Sequence, residues 1–395
     1  MSPRPLRIGY TCHDALPSTH TNTQQIIWTL SEVARLGHTV DLCVPAIRGG
    51  DAADAGARIA RHYGVAGGQL PASLRVIPAG RNDASSALAK GLFDLRAPLR
   101  FVPATHELIW TRDPMALVRA VRTGLPVFFE TYRPDFAAAP AFAPWRSVAL
   151  RTRALAGVIT HSRLAADAFE AAGVARDRVL VAHNGHAPSL MEPVCDRPAA
   201  RTRLGLPLDR PLVVYTGHVG PTKGTDALVA LAASLPEVTV VIVGVESDSS
   251  EGTWVRAQAA AAGALNLLLL PRVELAAVAV YLYAADCLVV PPTDEPLQRY
   301  GRTVLPMKLF SYMAAARPIL APDLPDVREV LTDGKDARLV RPGDPAAAAA
   351  AVRALLAEPA EAERLAQQAQ SAAQQYTWAA RAERVTTWMQ ERLGR

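Results

Sequence analysis

Short runs that are apolar from end to end recur along this chain. RIGYT, HTVDLCVP, LRVIP, LIWTR, LPVFFE, GVITHS and VLVAHNG come first, then PLVVYTG, VTVVIVG, LNLLLLP, CLVVPP, RPILAP and ARLVRP. A strand with one wet face alternates apolar and polar residues, whereas a strand covered on both faces does not. Between the runs lie helical patterns such as NTQQIIWTLSEVARLG, DPMALVRAVRTG, SRLAADAFEAAG, TDALVALAASL and ELAAVAVYLYA. Buried strands alternating with helices demand parallel sheets sandwiched between helical layers. The expected fold class is α/β, with two tandem Rossmann-like, doubly wound parallel-sheet domains and a cleft between them.

A length of 395 residues suits two domains, each able to bury its own core. The first is expected over 1–190, and the second over 211–375. The intervening 191–210, within MEPVCDRPAARTRLGLPLDRP, carries turn residues without a period and reads as a linker. A helix over 376–395 would turn Trp378, Val385, Trp388 and Met389 inward and return to the first domain. Residues 45 to 105 fit helices, loops or both.

Half of the residues are hydrophobic and the net charge is +5, a globular composition that permits an anionic ligand without choosing one. Lys and Arg form no block, which sets a nucleotide above nucleic acid as partner. Cys12, Cys43, Cys195 and Cys287 lie far apart with no CxxC spacing, against a disulfide framework or zinc site. Neither a signal-peptide apolar region nor a transmembrane run is legible, so the expected location is the cytoplasm, with at most a peripheral contact at the inner face of the membrane. In YRPDFAAAPAFAPWRSVALRTRAL, Phe136, Phe142 and Trp145 interleave with Arg133, Arg146, Arg151 and Arg153. That mixture suits a helix on an anionic membrane, although a buried helix with a solvated basic face is the commoner reading.

Ligands of open α/β sheets bind beyond the carboxyl ends of the strands, so the loops there carry the chemistry. In YTGHVGPTKGTDAL, Gly217 and Gly220 allow a close backbone turn, Lys223 supplies a cation and Thr225 is placed to cap the next helix; together they suit a pyrophosphate, or else form an ordinary βα turn. In GRTVLPMKLFSYMAAARP, Pro306 sits where a helix would begin and Lys308 falls in its first turn, with Leu309, Met313 and Ala316 as the buried stripe. A lysine there opposes the helix dipole, an oddity that a bound phosphate would explain. His183 and His186 flank an Asn-Gly turn and read as structural. After the first strand, His13, Asp14, His20, Thr21, Asn22 and Thr23 concentrate polar groups at a helix start, able to hold an acceptor or phosphate or simply to be hydrated.

Taken in order, these loops resemble the retaining glycosyltransferases of family four, which have the GT-B architecture of two Rossmann-like domains. ARLGHTVDLCVP, GVITHS, AHNG, YTGHVGPTKG, PMKLFSYMAAARPILAPDLPDVREVL and YTWAARAERV carry the resemblance along most of the chain. It implies that Lys223 contacts the donor pyrophosphate, with His218 where the family has an arginine. The family's paired glutamates fall on Thr303 and Ser311, so both carboxylates are absent. Glu295, beside Asp294, could offer one from another position. Pro306, Met307 and Lys308 complete the implied donor site. Near FFETYR, where members carry a histidine close to the anomeric centre, stand Glu130 and Tyr132.

The resemblance therefore implies a nucleotide-sugar-dependent glycosyltransferase, retaining and metal-independent, with Lys223, Lys308, Glu130 and Tyr132 as catalytic candidates. Its partners would be a nucleoside-diphosphate sugar, uracil-containing by family habit, and an unidentified acceptor, with no further cofactor. Two rivals stand beside it: a silent nucleotide-binding scaffold, which would account for the missing glutamates, and a sugar-nucleotide epimerase.

Overall fold

A computed structural model describes residues 4–80, 86–132, 134–138, 143–295 and 305–394, without the side chains at 52 and 147. The chain divides into two units, one made of Met1–Asn184 with Trp378–Arg395, the other of Gly185–Thr377.

The first unit holds β1 (Arg7–Thr11), β2 (Thr39–Val44), β3 (Leu74–Pro78), β4 (Leu108–Thr111), β5 (Val127–Thr131), β6 (Leu155–Thr160) and β7 (Val179–Val181). They form one parallel sheet in the order β3-β2-β1-β4-β5-β6-β7. Its helices are α1 (Thr21–Arg35), α2 (Ala55–Tyr63), α3 (Ala87–Arg96), α4 (Pro114–Ala120), α5 (Asp135–Ala138), α6 (Ala143–Leu150) and α7 (Arg163–Ala171).

In the second unit, β8 (Leu212–Thr216), β9 (Thr239–Val243), β10 (Leu267–Leu270), β11 (Cys287–Val289), β12 (Ile319–Pro322) and β13 (Arg338–Val340) form a parallel sheet ordered β10-β9-β8-β11-β12-β13. The helices around it are α8 (Arg197–Leu204), α9 (Thr225–Ala233), α10 (Ser250–Ala261), α11 (Leu275–Ala284), α12 (Lys308–Ala314), α13 (Pro345–Ala357) and α14 (Pro359–Ala373). Every apolar run read as a strand is one. The reason is visible in β9, TVVIV, where all five residues are buried because helices cover both faces.

Each sheet separates two cores. In the first unit, Ile26, Ile27 and Leu30 of α1 pack on one face, while Phe93, Leu117, Leu150 and Phe169 pack on the other. The last helix, α15 (Trp378–Arg392), crosses back to the first unit: Ala382, Val385 and Met389 join the α1 core. The edge of the Trp388 indole presses on Gly157, where a Cβ would come within 2.2 Å of the ring, so only glycine leaves room for it.

Residues 191–210 are not an open linker. Asp196 caps α8 by accepting from the Ala199 amide at 2.8 Å, and Arg201 is buried with its guanidinium on Asp286 and the Ala284 carbonyl. The weak period of that stretch comes from a polar helix tied down by charge instead of by an apolar stripe. The helix read within YRPDFAAAPAFAPWRSVALRTRAL ends at Leu150, because Leu155 already begins β6.

Candidate functional sites at the two sheet switch points

Strand order reverses between β1 and β4 in the first sheet and between β8 and β11 in the second. Each reversal splays the loops at the carboxyl ends and leaves a crevice. The two crevices carry different chemistry.

In the second unit the loop after β8 is held open by its glycines. Gly217 has φ of 135°, a left-handed backbone that side chains rarely adopt, and a Cβ there would meet Lys308 Nζ at 2.7 Å. The ammonium of Lys308 therefore lies directly against the turn. It also sits 3.6 Å from the ring centroid of Tyr215, a cation–π contact from the end of β8. Tyr215 is fixed in turn, since its hydroxyl donates to the His218 carbonyl at 2.7 Å. Tyr312, one turn along α12 from Lys308, accepts from the Thr216 amide at 2.8 Å and clamps strand to helix. Burial, reinforced by the charge of Lys223 nearby, holds the Lys308 pKa well below the ordinary lysine value. Two lysines thus converge on one glycine turn.

Several sequence expectations change here. Thr225 does not cap α9, whose cap is Gly224; its hydroxyl instead accepts from the Gly220 amide at 2.9 Å and returns a bond to the Gly220 carbonyl at 3.2 Å, closing the loop on itself. Pro306 precedes the Met307 cap instead of opening α12, which begins at Lys308. Leu309 and Met313 are buried as expected, but Ala316 lies past the helix end with φ of 50°. His218 stands 3.0 Å from Arg272, so a guanidinium reaches the loop from the β10 side although the loop itself lacks one. Ser311 is half-buried on α12, and Glu295 is half-buried with its amide on the Thr293 hydroxyl at 3.2 Å. Thr303 lies outside the described residues, as do Arg133 and Phe142.

The crevice of the first unit is a net of ion pairs. His13 Nδ1 lies 3.2 Å from Asp94 and 3.1 Å from Asp113. Burial alone would lower its pKa, but the bond to Asp94 and the charges of Asp113 and Asp14 outweigh it and raise it to about 9. Asp113 stands at the cap position of α4 but makes no side-chain cap bond, because its carboxylate faces His13. Its pKa is pushed up by burial and by Asp94 beside it. His13, Asp94 and Asp113 bring three ligand-type atoms within 4.8 Å of one another, a space that a protonated imidazole bridges as a cation.

Asp14 is held by Lys90 at 2.7 Å and Asn22 at 2.9 Å, with His20 at 3.4 Å; the bonds from Lys90 and Asn22 and the charges of Lys90 and His13 overcome burial to lower its pKa to about 2. Thr23 donates to the His20 carbonyl at 2.7 Å and accepts from Tyr63 at 2.9 Å, while Thr21 opens α1 exposed to solvent.

Glu130, a catalytic candidate by sequence, is a structural anchor in the fold. It is 1% exposed and accepts from Arg381 of α15 at 2.6 Å and from Gln25 at 2.8 Å, with His161 at 2.9 Å. Burial would raise its pKa, yet Arg381, His161 and Arg112 hold it below the usual carboxylate range. Tyr132, two residues on, is exposed beyond that net, stacked on His161 at 6.2 Å and under Arg112 at 5.8 Å. As members of a site, Lys90, Asp94, Asp113 and Arg112 went unread in the sequence. The last two follow β4 and were open to the carboxyl-end rule; Lys90 and Asp94 lie on α3 in the stretch with no clear period.

Two parallel Rossmann-like units, each with its crevice at the switch point, define a protein of the GT-B class. Residues 196–372 match the family described as glycosyl transferases group 1. It is 32% identical over 187 residues to a D-inositol 3-phosphate glycosyltransferase of Xylanimonas cellulosilytica, covering 46% of this chain and 42% of that one. To the protein so described in Streptomyces avermitilis it is 27% identical over 338 residues, 80% of this chain and 69% of the relative. The chain thus spans less than half of the first relative's length. Among solved structures, Anabaena HepE in complex with UDP superposes with a TM-score of 0.73 at 18% identity, covering 98% of this chain and 100% of that one. Sucrose-phosphate synthase of Thermosynechococcus elongatus gives 0.73 at 18% identity, over 98% and 99%. At such identities these structures speak for the fold.

Proposed function

We propose that this chain transfers a sugar from a nucleoside-diphosphate sugar to an acceptor, with retention and without a metal ion, the diphosphate lying on the Gly217–Gly220 turn. The carrying observation is the placing of Lys308 against Gly217, with Lys223 near enough to depress its pKa. A buried ammonium beside another cation costs free energy alone, and diphosphate oxygens offset that cost. The same charges would stabilise the diphosphate as it leaves. Ser311 would hydrogen-bond the donor without a carboxylate's charge, and Tyr132 would stand near the sugar in place of a histidine. UDP is the first nucleotide to try, being the ligand of Anabaena HepE, and D-inositol 3-phosphate the first acceptor, from the relatives' description. A cytoplasmic location, where nucleotide sugars are made, fits this reading.

Titration calorimetry with a panel of nucleoside diphosphates and their sugar conjugates tests it. One preferred diphosphate is expected, binding about tenfold or more weakly to Lys308→Ala and to Lys223→Ala. Binding should also take up a proton, because the anion restores the charge of Lys308. If no diphosphate binds, or both variants bind as the parent does, the site assignment fails. Binding without turnover on any acceptor favours the scaffold reading.

A further inference from the structure

The helical layer carrying α3, α4 and α6 is apolar and cationic on its outer side. α3 continues as a tight turn over Ala97–Arg100. Its inner residues Phe93, Ala97 and Phe101 belong to the core. Outward stand Leu88 at 74% exposure, Leu92 at 44%, Leu95 at 38% and Leu99 at 49%, with Val102 at 45% beyond them. Steps of four, three and four residues place these leucines in one stripe.

The charge pattern selects what covers that stripe. Between residues 86 and 106 the exposed charged side chains are Arg96 and Arg100, while the lone acid, Asp94, is buried on His13. α3 packs on α4 and α4 on α6, where Trp145 and Val148 are each 43% exposed and Arg151 and Arg153 follow, also exposed. No acid occurs from residue 136 to 166. Phe136, expected on the same surface, is instead 3% exposed in the core, and Arg146 is turned back to the Ala137 carbonyl at 2.6 Å. A solvent-facing helix normally mixes both signs of charge with few large apolar groups. A second copy is a poor occupant, because a two-fold contact would set arginine against arginine.

We propose that this face docks on an anionic lipid bilayer, the leucines and Trp145 entering the boundary between headgroups and acyl chains and the arginines meeting lipid phosphates. Among the described residues no helix is long and apolar enough to cross a membrane, so the contact is peripheral. The inference holds whether or not sugar transfer does.

Co-sedimentation of the full chain with vesicles of phosphatidylcholine, alone or with phosphatidylglycerol, is the test, accompanied by light scattering for mass in solution. The expected result is binding to the anionic vesicles that weakens with salt. It should be abolished in Leu92→Glu/Leu95→Glu and reduced about fivefold per arginine in Arg96→Glu/Arg100→Glu, with melting temperatures unchanged. Failure of the parent to bind, or binding by the leucine variant equal to the parent's, overturns the proposal. So does a solution dimer that the leucine variant dissociates while neither form binds vesicles.

Discussion

Glu130 shows how the same residue type can look like chemistry in a sequence and serve as an anchor in a fold. The stretch FFETYR places an acid and a tyrosine at the carboxyl end of β5, where a reacting group would stand. Nothing in those letters reveals that Arg381, 251 positions away, reaches the same carboxylate. Glu130→Ala should destabilise the first unit by about 3–5 kcal/mol, since it leaves buried guanidinium charge unanswered. Urea unfolding measures this; a variant that unfolds like the parent but loses turnover would return Glu130 to the catalytic set. His13 gives a pH signature of opposite chemistry. Its folded pKa of about 9 lies above the ordinary 6.5, so its contribution is full below pH 6.5 and is lost as pH rises through 9. Asp94, Asp113, Asp14 and Lys90 face it; burial raises the pKa of Asp94 and of Asp113, the latter to about 7, while Lys90 and Asn22 hold that of Asp14 down. Parent stability should fall between those limits and His13→Gln should flatten the fall, as denaturant midpoints across the range would show.

At the scale of elements, legibility followed burial. The strands were readable because runs such as VTVVIVG are covered on both faces, and a doubly buried strand has no polar register to blur it. α12 was readable for its apolar stripe, though not where it starts. α3 was not legible: leucines lie on its outer side as well as phenylalanines on its inner side, so no single face dominates its period. α8 failed to register for the converse reason, being a polar helix buried through Arg201. Of the sites, the glycine turn and Lys308 could be found by position relative to a strand. The His13–Asp94–Asp113 cluster could not, because α3 brings Asp94 to His13 across 81 residues.

Across the whole molecule, the telling feature is a helix that belongs to the unit it is farthest from in sequence. α15 covers Ile26, Ile27 and Leu30, and it supplies Arg381 to Glu130. A chain ended at Thr377 should keep the second unit intact while the first loses its cooperative transition. Hydrogen exchange would show rapid exchange across β1, β4 and β5 with β8, β9 and β11 still protected; protection of both sheets would make α15 a mere appendage. The same wiring sets an order of events during synthesis. An emerging chain forms all the strands of its first sheet early, yet that sheet waits with one side of its core open until the entire second unit has passed through the ribosome. The second unit can fold as soon as it emerges, so the unit translated first is the one finished last. In the interval its uncovered apolar face is a surface for chaperones, and ribosomes that stall within α13 or α14 would release chains carrying that face bare.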